Sequence, residues 1–184
     1  MSEHEKNQQI KDGLSGKLSG EALKNALDFV AYMNENEMTL DISYVSNGAY
    51  SFKRFDELVC ILAVSPFWGI VSGWSVYLGI GNNTIFNGNY DDIAVDEHLK
   101  ELVWTHIKSC ANSVGDKCGG GCQPDKPIKV FGKEFNKQCS HLTKFENPNA
   151  DTVKKISDLA KLFKHCIDDA RSIQALSADT QLNP

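Results

Sequence analysis

The sequence predicts an α+β fold, with an antiparallel sheet of about four to five strands, helices flanking it and a cysteine-rich loop region. Three observations carry this expectation. Hydrophobic residues recur at helical spacing near both ends of the chain. Short β-branched and aromatic segments occupy the middle. No regular strand–helix–strand alternation, the signature of a parallel sheet, runs through the chain.

In chain order, residues 1–18 are polar and are expected to form a mobile N-terminus. Ser19 offers an N-cap for a helix running to about Glu37, with Leu23, Leu27, Val30 and Ala31 on one face. Ala22, Ala26, Phe29 and Met33 widen that face. Thr39 to Val45 reads as a strand, Asn47-Gly48 as a hairpin turn, and Ala49 to Phe55 as the return strand. LVCILAV (58–64) and WSVYLGI (74–80) are expected as central strands, followed by turn chemistry in GNNTIFNGNYDD. A second helix should start near Asp92 or Asp96 and reach about Cys110, burying Val95, Leu99, Leu102, Val103 and His106. IKVFGKEF reads as a short strand or hairpin. A last helix, capped by Asn149 or Asp151, carries Val153, Ile156, Leu159, Ala160, Phe163 and Ile167 as its core stripe. One domain is therefore expected over residues 19–175, with a mobile tail at 176–184.

The net charge is −5, the wrong sign for a non-specific nucleic-acid binder or anionic-membrane binder. Residues 117–165 nevertheless form a basic island, with ten Lys against five Asp/Glu. Those lysines are either solvated surface charge, or an offset to thiolates or an anionic ligand. Leu58 to Tyr90 contains no charged residue, and the apolar part is long enough to cross a bilayer. Ser65, Pro66, Gly69, Ser72 and Gly73 break it into strand-length runs, so buried strands are expected and a membrane span is not. The opening MSEHEKNQQIKDG has no apolar run of the secretory type, which makes the cytosol the expected compartment.

There, clustered cysteines more often bind metal or do redox chemistry than form disulfides. Cys60 lies inside an apolar strand, and Cys166 on the apolar side of the last helix; both read as small buried hydrophobes. Cys110, Cys118, Cys122 and Cys139 sit at a helix end and in loops, where four thiolates can converge on a tetrahedral metal such as zinc. Gly119, Gly120 and Gly121 let the backbone wrap an ion. Free thiols and a redox-active pair are the competing readings, because the spacing is not the commoner C-x-x-C. His106 and His141 stand near enough in sequence to replace a cysteine, although each reads better as packed or exposed. Phe67, Trp68, Trp74 and Tyr77 are either core or the lining of a small apolar ligand pocket.

The order CANSVGDKCGGGC, IKVFGKEFNKQC and FENPNADTVKKISDLAKL resembles a group of small uncharacterised bacterial proteins, over about residues 95–165. The resemblance implies a cytosolic protein with no assigned activity, and it supplies no catalytic residues. The segment ANSVGDK between Cys110 and Cys118 departs from that pattern. Two function classes follow. One is a cytosolic binding or regulatory module with a structural zinc. The other is an enzyme using the cysteine cluster for redox or hydrolytic chemistry. GIGNNT lacks the glycine pattern and context of a phosphate loop, and no nucleophile elbow is present.

Overall fold

The structure, a computed structural model, describes residues 2–41, 48–65, 72–78, 94–109, 128–136 and 138–181. The expected α+β class is present. Among the described residues, four helices accompany a six-stranded antiparallel sheet of order β1-β2-β3-β4-β8-β5. The strands are β1 Thr39–Asp41, β2 Ala49–Arg54, β3 Glu57–Val64, β4 Trp74–Leu78, β5 Ile107–Ser109 and β8 Gln138–Glu146. A separate two-stranded ribbon joins β6 Ile128–Val130 to β7 Lys133–Phe135.

The strand period of two sorts side chains between two faces. Tyr50 and Phe52, then Cys60, Leu62 and Val64, then Trp74, Val76 and Leu78, then Phe145 all enter the main core. Ala49, Ile61, Ala63 and Tyr77 form a second buried cluster on the opposite face. Burial on both faces explains why LVCILAV is apolar throughout and not alternating. Opposite Phe52 and Lys53 the register slips, and the extra residue, Val59, turns into the main core. The uncharged stretch thus supplies β3 and β4. Among the described residues, no helix is long and apolar enough to cross a membrane.

The N-terminal segment differs from the expectation of a mobile end. Residues Glu3–Ser15 form helix α1. Ser2 and Glu5 make a reciprocal capping box: the Glu5 amide donates to Ser2 Oγ (3.3 Å) and the Ser2 amide to Glu5 Oε2 (2.6 Å). Ile10 and Leu14, four apart, are fully buried. Gly13 lets the helix approach Tyr50 so closely that an added Cβ would overlap the tyrosine hydroxyl. Lys6 Nζ donates to the Leu40 carbonyl at 3.1 Å, capping an outward group of the edge strand β1.

Helix α2, Gly20–Glu35, starts after Ser19 as expected. Its buried row is Ala26, Phe29, Val30 and Met33, while Ala31 is exposed, so the helix is rotated from the expected face. It ends in a left-handed Glu37 (φ 59°). The Met38 amide donates to the Met33 carbonyl and the Glu37 amide to that of Asn34, a Schellman closure sealed by buried Met33 and Met38.

Helix α4, Ala150–Gln181, is capped by Asn149, whose Oδ1 accepts from the Thr152 amide at 2.9 Å. All six residues of the expected stripe are buried. The helix continues through residue 181, over most of the segment expected to be a mobile tail.

Candidate functional site

Helix α3, Glu97–His106, is capped by Asp96, whose Oδ1 accepts from the Leu99 amide at 3.0 Å. It stops four residues short of the expected end. Ile107 takes an extended backbone (φ −68°, ψ 119°), and the chain passes directly into β5, which pairs with β8. The expected continuation of this helix to about Cys110 is therefore not observed, because residues 107–109 form a strand. His106 is packed instead. Its ring stacks on Phe145 with centroids 4.6 Å apart, and Nδ1–H donates to the Leu102 carbonyl at 2.8 Å.

Cys110, Cys118 and Cys122 lie outside the described residues, as do the glycines between the last two. The backbone of Cys139 belongs to β8, a strand the sequence reading did not anticipate. Pairing of β5 with β8 puts Ser109 opposite Gln138. The residue before Cys110 thus faces the residue before Cys139 across one ladder. Among the described residues, no group of three or more His, Cys, Asp or Glu is placed to hold a metal.

Between those cysteines, the β6–β7 ribbon is better anchored than its few apolar residues promise. Val130 and Phe131 join the main core, both nearly inaccessible. Trp104 of α3 donates Nε1–H to the Val130 carbonyl at 2.8 Å, and Lys133 sits over the Trp104 and Phe135 rings at 5.1 and 5.5 Å. Ordering this ribbon therefore does not rest on a covalent or metal staple alone.

Of the two remaining cysteines, Cys60 is buried as expected, whereas Cys166 is only partly so. Cys60 is fully buried, 3.9 Å from Met33 Sδ, and burial drives its thiol far above the ordinary range. Cys166 is half-buried on α4, and burial, then the Asp169 charge, pushes its thiol up. Neither carries the depressed thiol pKa of a nucleophile.

The aromatic pocket needs correction. Trp74 and Tyr77 are three residues apart on β4, and an odd spacing on a strand sends side chains to opposite faces. Trp74 is in the main core and Tyr77 in the second cluster, so one pocket cannot be lined by both. Phe67 and Trp68 lie outside the described residues. Around Tyr77, Lys144 is ion-paired with Glu146 (2.7 Å) and stands 5.8 Å from the phenol ring.

A charged knot joins the far end of β2 to α4. Arg54 Nε donates to Asp168 Oδ1 at 2.6 Å, Lys164 approaches Asp168 Oδ2 at 3.2 Å, and Glu37 lies within 3.5 Å of both cations. Partial burial pushes the Asp168 carboxyl up, but bonds from Arg54 and Lys164 outweigh this and hold it below its ordinary value. A depressed carboxyl stabilises the fold above its unfolded value of about 3.9, and the benefit is lost as pH falls through the folded value. Asp168→Asn is therefore expected to lower stability by up to about 1 kcal/mol at neutral pH, a surface-network magnitude. The difference from wild type should close below about pH 4 in urea titrations; a gap that persists in acid would contradict the linkage.

Comparison of the chain with protein-family models, curated proteins and solved structures gives no match.

Proposed function

We propose that the chain is a cytosolic binding or regulatory module in which a structural soft-metal ion, zinc, is held by Cys110, Cys118, Cys122 and Cys139. The observation that supports this reading is the β5–β8 register, with Ser109 opposite Gln138. Antiparallel partners have Cα atoms about 4.5–5.5 Å apart. Each cysteine is the next residue along its chain, and because the strands are antiparallel the two step in opposite directions, so they are related diagonally, at about 7–8 Å. The two ends of the cysteine segment are thus drawn together, and Cys118 and Cys122 fall within the closed loop between them. Four thiolates at about 2.3 Å complete a closed tetrahedral zinc site. Such a site would carry a net charge near −2, of the sign that the basic surplus of residues 117–165 offsets.

Elemental analysis of the native full chain, paired with thiol counting, tests it. One zinc per chain is expected. Of the six cysteines, native labelling should reach Cys166 and spare the rest, and all six should label after denaturation with chelator. Cys118→Ser should abolish stoichiometric zinc while the sheet signal persists. A metal-free protein with several natively reactive thiols would overturn the proposal and favour a thiol-dependent enzyme.

A further inference from the structure

We propose that the β6–β7 ribbon is a latch whose seat on α3 is coupled to the cysteine site: metal held there tightens the latch, and metal loss loosens it and uncovers Trp104. The inference rests on the zinc reading above and adds a regulated element to it.

The ribbon is a body apart from the main sheet. Its strands pair with each other, Ile128 with Phe135, Lys129 with Glu134 and Val130 with Lys133. A lone two-stranded hairpin is marginal in water, so its order depends on what it docks against. The docking is done by the tip. Val130 and Phe131 are buried in the main core, while Lys129, Gly132, Lys133 and Glu134 are exposed. From α3, Trp104 donates Nε1–H to the Val130 carbonyl at 2.8 Å, and Lys133 Nζ lies 5.1 Å from the Trp104 ring.

Opposing forces meet at that seat. The turn holds Phe131 at φ 48° and Gly132 at φ 83°. Glycine adopts such angles freely, whereas a phenylalanine stays there only where its surroundings impose it. Burial of the ring favours the seat, and the backbone of the same residue opposes it. An element balanced in this way opens locally at a cost below that of global unfolding, and it responds to how its ends are held.

The two ends are held unequally. On the C-terminal side, Phe135 is followed within three residues by Gln138 of β8, which pairs with Ser109. On the N-terminal side, residues 110–127, eighteen in all, separate Ser109 of β5 from Ile128. Seating the tip closes that connection into a loop. With Cys122 held beside Cys110 and Cys139 by a shared ion, the loop left to close shrinks to residues 123–127, five in all. Closure cost rises as three-halves of the logarithm of length, so the shorter loop favours the seated ribbon by about sevenfold. Coupling between two equilibria is reciprocal, so seating strengthens metal binding by the same factor.

Hydrogen exchange in the full chain, followed by NMR before and after zinc removal with a chelator, provides the test. Amides of residues 128–135 and the Trp104 indole N–H are expected to exchange about sevenfold faster without metal, and to recover on zinc addition. Amides of β2 and β3 should hold their rates. Phe131→Ala should speed exchange at the same ribbon sites in the zinc-loaded protein and weaken zinc several-fold, at most about sevenfold, in a competition titration. Unchanged ribbon exchange on removal of one bound zinc would overturn the latch and leave the zinc reading standing. Uniform acceleration across β2 and β3 would also overturn it, because the metal would then hold the whole fold. So would an unchanged zinc affinity in Phe131→Ala. A chain that binds no zinc overturns the latch and the reading together.

Discussion

Phe145→Ala is expected to destabilise the protein by about 3–5 kcal/mol, the cost of deleting a large buried ring and leaving a cavity. Phe145 is fully buried on β8, pairs with Val76 across the ladder and carries the stacked His106 ring. One substitution therefore removes contacts with β4 and with the end of α3. A typical domain has only about 5–15 kcal/mol in total, so the variant should unfold at markedly lower urea. A loss under about 1 kcal/mol would mean that β8 does not close the sheet as described.

The second large effect is expected in α1. Leu14→Ala should cost about 2–5 kcal/mol, because Leu14 is fully buried in the main core. Lys11→Ala, on the exposed face of the same helix, should change stability by no more than about 0.5 kcal/mol. Urea titrations of the two variants separate a docked helix from a loose one. Equal, small effects would show that α1 contributes nothing to the core.

That helix also marks where the sequence was hard to read. α1 buries only Ile10 and Leu14 along an otherwise polar segment, too few for a visible stripe. The local signal was the capping pair Ser2 and Glu5, which outweighs polarity in deciding whether a helix starts. By contrast, α4 was legible because six apolar residues repeat at helical spacing, and β3 and β4 because uncharged β-branched runs end at Ser and Gly. β8 was obscured by its polar content. Its inward positions include Thr143, buried but not apolar, so QCSHLTKFE shows little alternation. The early stop of α3 was a tertiary effect, since β8 claims Ile107 as a strand partner. For the metal site, the four cysteines were legible as residue types, whereas the nearness of the two segment ends depends on strand pairing that spacing does not encode. The division of Trp74 from Tyr77 was present in the sequence as an odd separation on a strand.

The meander β2–β3–β4 is stitched by short connections, but Leu78 of β4 meets Thr143 of β8, sixty-five positions later. The free-energy penalty of joining two strands through a flexible connection rises only with the logarithm of its length, about 0.6 kcal/mol for each doubling. Extra residues between β4 and α3 would therefore weaken the sheet very little. The frame is tolerant of length variation there while the ladders on either side stay in register. A lineage, or an engineer, can lengthen or rewrite that connector at small thermodynamic expense and keep the same frame beneath it.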